Sequence, residues 1–148
     1  MNRLVHVLAA VTVAVGLGSS ACKSSSSPSQ GYDIGALSKV DTVIGTGTES
    51  VIGKTATVHY TGWTYDPSAA GNKGQKFDSS VDRGQPYSFV PGVSSVIQGW
   101  QQGVPGMRVG GKRTLLIPSA LGYGAAGSPP DIPPYSALVF DIELLNVQ

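Results

Sequence analysis

Little in this chain can perform acid–base, nucleophilic or metal chemistry. Its 148 residues include one cysteine, Cys22, and two histidines, His6 and His59. A single cysteine excludes an intrachain disulfide. A zinc site takes three or four His, Cys or carboxylate ligands, and no such cluster occurs here. A Ser-His-Asp triad in the main domain would have to use His59, and no Gly-x-Ser-x-Gly elbow exists to present the serine. Charged residues are scarce at 13%, with a formal net charge of +1. No stripe of Lys and Arg is visible, which argues against nucleic acid. No Asn-x-Ser/Thr sequon is present. The segment Gly106-Met107-Arg108-Val109-Gly110-Gly111-Lys112-Arg113 comes close to a phosphate-binding loop. However, Arg113 replaces the hydroxyl residue that would hold magnesium, and the Thr114–Ile117 run that follows suits a strand where a helix is required. A turn leading into a strand is expected there. The residues call for no cofactor and no metal.

The start of the chain is set apart from the rest. Met1-Asn2-Arg3 is short and basic, Leu4 to Gly18 is an apolar run, and Ser19-Ser20-Ala21 supplies small residues before Cys22. This is the layout of a secretory signal peptide over residues 1–21. The run falls short of the roughly 18–20 residues a spanning helix needs. Cys22 in this position resembles the acylated cysteine of a bacterial lipobox, although Ser19 stands where such boxes carry Leu or Val. Ordinary signal peptidase would also suit Ser19-x-Ala21, and either route leaves a mature chain starting at Cys22. Lipidation is favoured, because an exported chain with no other cysteine has little use for one exposed thiol. The expected location is the membrane surface facing the periplasm or cell exterior. Residues 22–36 are Ser-rich and include Pro28, which reads as a flexible linker. The domain then spans residues 37–148, about 110 residues and long enough to bury one core. Removing Arg3 from ten Lys and Arg leaves nine, against nine Asp and Glu, so the exported chain is close to neutral.

Strand signals dominate this domain. Val40–Ile44 is a short β-branched run. Thr55–Thr61 alternates, with Ala56, Val58 and Tyr60 on one face and threonines with His59 on the other, where His59 is expected as a surface residue. Tyr87–Val90 and Thr114–Ile117 read as short strands. Leu138–Leu144 alternates again and puts Leu138, Phe140, Ile142 and Leu144 together. Only Ser94–Gln102 suits a helix, with Val96, Ile97 and Trp100 on one face, Ser94 or Ser95 as cap and Gly103 at the end. A shorter turn is expected at Ser119–Leu121. Two long loops, Tyr65–Lys76 and Gly124–Pro134, are candidates for function. The pattern is α+β.

Aromatics make up only 7% of the chain, eleven residues in all. Six of them fall in short signatures spread over eighty positions: Tyr60, Phe77, Phe89, Trp100, Tyr123 and Phe140. Tyr60, Phe89 and Phe140 alone would read equally well as core packing, and Asp78 alone as a turn or cap residue.

The signatures together resemble the FKBP-type peptidyl-prolyl cis-trans isomerases. The resemblance runs from about Val40 to Val147 and rests on Val58-His59-Tyr60-Thr61-Gly62, Lys76-Phe77-Asp78-Ser79-Ser80, Val96-Ile97-Gln98-Gly99-Trp100, Ile132-Pro133-Pro134 and Leu138–Leu145, in family order. It implies a five-stranded antiparallel β-sheet wrapped around one short α-helix. It implies a proline-binding pocket with Trp100 as floor, Tyr60, Phe77, Phe89 and Phe140 as walls, Val96 and Ile97 at the rim, and Tyr123 closing one side. The Ile97 amide and the Tyr123 hydroxyl would hold substrate carbonyl oxygens. Asp78 would sit beside the pocket, with Arg83 and Tyr60 orienting it. The implied partners are X-Pro-containing polypeptides and macrolide inhibitors of the tacrolimus and rapamycin type. Ser128 and Asp131, with Ile132 beside them, are expected at the pocket rim. Better-known members often carry histidine in place of Ser128 and a bulky apolar residue in place of Asp131, so both departures bear on substrate and inhibitor preference. The alternatives to an isomerase are a non-catalytic module that grips proline-containing segments and a chaperone. No long helical segment that could pair chains is apparent, so a monomer is expected.

Overall fold

A computed structural model describes residues 30–148. The segments read as signal peptide, Cys22 and the first part of the linker lie outside the described residues. Six strands form one antiparallel sheet: β1 (Ser38–Val43), β2 (Ala56–Tyr65), β3 (Lys73–Ser79), β4 (Tyr87–Phe89), β5 (Lys112–Ile117) and β6 (Leu138–Val147). Five of them run in the order β1-β5-β6-β2-β3, and the short β4 adds onto β2. Two helical turns complete the frame, α1 (Ser80–Arg83) and α2 (Gln98–Gly103).

The alternation seen in sequence becomes burial. In β2, Ala56, Val58 and Tyr60 are buried while Thr57, His59 and Thr61 are half-buried. In β6, Leu138, Phe140, Ile142 and Leu144 face the same core. Successive strand side chains point to opposite faces, so the β2–β6 register, Tyr60 opposite Ile142 and Gly62 opposite Phe140, places this apolar set together. The core closes with α2 lying across β5. A methyl group at Gly99 would fall 2.4 Å from the Ile117 side chain, so the glycine lets the helix approach closely enough to bury Trp100. Arg113 ties the layers together: its guanidinium donates to both Asp41 carboxylate oxygens, at 2.6 and 3.0 Å, and to the Gly103 carbonyl at 2.8 Å.

Four sequence expectations are corrected. The helix begins at Gln98, not Ser94, and Ile97 caps it without a side-chain bond. The reason is local: Ser94 Oγ accepts from the Val90 amide, and Gln101 clasps the same turn through the Gly92 amide and the Ser94 carbonyl. Serine side chains compete with helix in this way. The expected Tyr65–Lys76 loop is shorter, because β3 starts at Lys73 and pairs with β2 through bulged register. His59 is not a bare surface residue: its Nδ1 lies 3.0 Å from the Ser80 hydroxyl. The linker expected to residue 36 does not stay free that far. The Gly31 amide donates to the Pro134 carbonyl, and the Tyr32 carbonyl accepts from Ala137. The turn expected before β5 is present, closed by the Gly111 amide on the Arg108 carbonyl.

Candidate functional site

A cavity of about 240 Å³ opens between the inner face of the sheet and α2. Its walls are Tyr60, Phe77, Phe140, Tyr87 and Trp100, with Val96, Ile97, Ser95, Tyr123 and Asp78 around them. The rings meet edge to face, the arrangement that the aromatic quadrupole favours. Tyr60 and Trp100 are 4.9 Å apart at 81°, Phe77 and Phe140 5.5 Å at 85°, and Trp100 and Phe140 5.4 Å at 84°. Behind this pair of phenylalanines, β2 leaves a gap at Gly62. A methyl group there would fall 2.6 Å from the Phe140 ring and 2.7 Å from that of Phe77.

The polar corner is built by a local device. Ser79 ends β3 and caps α1, its hydroxyl accepting from the Asp82 amide. That single turn brings Arg83 back over Asp78, five residues earlier. The Arg83 guanidinium and the Tyr60 hydroxyl both donate to the Asp78 carboxylate, and Arg83 also donates to the Tyr60 oxygen at 3.0 Å. Burial works against ionisation of Asp78, but hydrogen bonds from Tyr60 and Arg83 outweigh it and hold its pKa below the ordinary value. Tyr60 is pushed the other way, by burial and then by the hydrogen bond to Asp78. Burial, followed by the Asp78 charge, also raises Tyr123. Both phenols are therefore held neutral beside one fixed carboxylate, to which Tyr60 donates.

The structure brings together Tyr60, Phe77, Asp78, Val96, Ile97, Trp100, Tyr123 and Phe140, all named from the sequence, around this one cavity. Phe89 does not line it. The Phe89 ring is buried behind Trp100, 5.3 Å from its centroid, and supports the floor from beneath. Tyr87, two positions earlier on the same strand, takes the wall position, 6.0 Å from Trp100. The sequence reading missed Tyr87 and Ser95; alternation within Tyr87-Ser88-Phe89 signals that Tyr87 shares the face of Phe89, but not which of the two rings reaches the cavity. Ser128, Asp131 and Ile132 do not line the cavity either. Ser128 and Ile132 bond to each other in an isolated bridge, Ile132 belongs to the core, and Asp131 is exposed.

A sheet, a short helix and an aromatic cavity with an ion-paired carboxylate at its side define the domain. Residues 47–145 match the model of one family, the FKBP-type peptidyl-prolyl cis-trans isomerases. An FK506-binding protein of Neisseria meningitidis serogroup A is 50% identical over 114 residues, spanning 77% of this chain and 98% of the relative. FK506-binding protein 2 of Dictyostelium discoideum is 42% identical over 147 residues, 99% of each chain. The crystal structure of AtFKBP13 superposes with a TM-score of 0.65 at 41% identity, covering 78% of this chain and 96% of that one. The chain belongs to the FKBP-type peptidyl-prolyl cis-trans isomerases, and its activity is the interconversion of X-Pro peptide bonds.

Proposed function

We propose that the aromatic cavity is where the prolyl amide is twisted, and that the enzyme works outside the cytoplasm, held to a membrane through Cys22. The carrying observation is the cavity itself, walled by five rings and served by a single ion-paired carboxylate. Rotation about a peptide bond faces a barrier of about 18–20 kcal/mol. At X-Pro it takes tens of seconds or longer without a catalyst. The barrier comes from amide resonance, and water bonded to the carbonyl favours the charge-separated form. The twisted transition state is less polar, so a site that strips this water favours it. Each thousandfold of rate needs only about 4 kcal/mol.

In this reading the proline ring rests on Trp100 between Tyr60, Phe77 and Phe140. The first amides of a helix have no partner within it, so the Ile97 N–H at the head of α2 is offered to a substrate carbonyl. Tyr123, a neutral phenol at the open side, holds a second carbonyl. Asp78 fixes Tyr60 and Arg83 and takes no proton. The cavity is complete within one chain, which suits a monomer. Two FK506-binding relatives make macrolides of that type natural competitors for the site. An isomerisation assay of the full chain across several X-Pro peptides, with a binding titration beside it, tests the site. Binding with no rate enhancement would overturn it in favour of a passive binding module. For the location, mass spectrometry of the membrane fraction should find Cys22 acylated, and a free thiol there refutes the anchor.

A further inference from the structure

The segment just before the sheet touches both ends of the loop that carries Tyr123. At the start of that loop, the Asp33 carboxylate accepts from the Ser119 amide at 2.8 Å and from the Ser119 hydroxyl at 2.5 Å. The partners are 86 positions apart, and Ser119 is 4% exposed. At the far end, the Gly31 amide donates to the Pro134 carbonyl at 3.1 Å, and the Tyr32 carbonyl accepts from Ala137 at 2.8 Å. Leu37 packs against the core and ends the segment. The contact at Gly31 is tight, since a methyl group there would fall 1.8 Å from Ser136 Oγ.

Ser119 in turn holds the backbone on either side of Tyr123. Its carbonyl accepts from Gly122 at 3.0 Å and from Gly124 at 2.8 Å. The Gly124 carbonyl accepts from Tyr135, and the Tyr123 carbonyl from Gly127. One continuous set of hydrogen bonds therefore leads from Asp33 through Ser119 to the residue at the open side of the cavity. All of this segment precedes the family-matched residues, which begin at 47. We infer that residues 31–37 form a strap that positions Tyr123 for substrate, with Asp33 as its positioning residue. The inference rests on the reading of Tyr123 as a substrate contact. Although burial opposes ionisation of Asp33, the two bonds from Ser119 prevail and hold its pKa below the ordinary value. The strap is therefore fastened by a charged acceptor at neutral pH.

The test compares the full chain with Asp33→Ala, Gly31→Val and Tyr123→Phe, measuring KM and kcat on one X-Pro peptide and amide hydrogen exchange in parallel. Asp33→Ala should raise KM about tenfold, near the roughly 1.5 kcal/mol lower end for a hydrogen bond to a charged group. It should leave kcat within about twofold, because the Trp100 floor and the Asp78 corner are untouched. Exchange at Gly122 and Gly124 should quicken while that of β2 and β6 does not. Gly31→Val keeps Asp33 but displaces the strap, and should reproduce the KM effect. Uniform faster exchange with KM unchanged marks a purely structural role and overturns the strap. Tyr123→Phe raising KM while both strap variants are silent also overturns it. Tyr123→Phe leaving KM unchanged overturns the substrate-contact reading, and with it this one.

Discussion

The two faces of the sheet each carry a hollow, and the larger is not the aromatic one. The outer hollow, about 320 Å³, is lined by the half-buried set of the same strands, including His59, Thr61, Thr114, Asp141 and Glu143. The inner one, about 240 Å³, takes the alternate residues, with Phe140 on that side alone and Tyr60 bordering both hollows. Outside, opposite charges answer one another. Lys73 reaches Asp141 at 2.6 Å, with Thr114 donating to the same carboxylate, and Lys112 lies 3.8 Å from Glu143. Inside, the single ion pair stands at the margin and the walls are rings. A reaction that gains from shedding water needs the second kind of surface, which is why the proposed site is the inner hollow although it is the smaller of the two.

Substitutions can break this contrast, most strongly on the inner face. Phe140→Ala removes a wall ring that is also core and 3% exposed. It should cost about 3–5 kcal/mol of stability and abolish isomerisation, which denaturant melts and a peptide assay will show. Trp100→Leu keeps an apolar side chain but flattens the floor. It should lower kcat/KM by about a hundredfold, equivalent to roughly 2.7 kcal/mol of transition-state binding, in a chain whose circular dichroism is unchanged. Full activity in the folded variant would remove Trp100 from the site.

Acid should separate the two kinds of charge next. Asp78 in the cavity and Asp41 on Arg113 both titrate below the usual aspartate value of 3.8. The stability each contributes is complete above that value and is lost as pH falls through the lowered one. Asp78→Asn and Asp41→Asn should each flatten the acid limb of the unfolding curve, while only Asp78→Asn slows the enzyme at neutral pH. The smallest effect belongs to the outer hollow. Lys112→Ala breaks an exposed pair and should change stability by no more than about 1 kcal/mol, with kcat/KM within about twofold in the same assay. A loss matching that of Trp100→Leu would make the outer face part of the machinery.

The strands were legible because burial on one face imposes period-two alternation, as in β2 and β6. β3 was not, since Lys73-Gly74-Gln75-Lys76 carries no apolar alternation and pairs with the preceding strand, β2, through bulged register. The start of α2 was misread because Ser94 spends its side chain on the Val90 amide, a local choice that composition does not display. Most of the cavity could be named in advance, because its rings are rare residues in recognisable signatures. The exchange of Phe89 for Tyr87 was hidden: both lie on one strand face, and only packing against Trp100 decides which ring meets the solvent side. Asp33 was less legible still, a lone carboxylate beside a serine-rich stretch whose partner lies 86 positions away.

At Gly62 a single methyl group would act on the cavity from behind. Two wall rings occupy the volume that any side chain on β2 would claim at that point. Gly62→Ala would crowd Phe77 and Phe140 from behind and, in the proposed site, press them toward the proline, through a change made away from the cavity's opening. Such a chain would carry the same exposed side chains and, on that reading, be unable to turn a proline. It would be a matched blank against which effects of catalysis can be told from effects of mere presence.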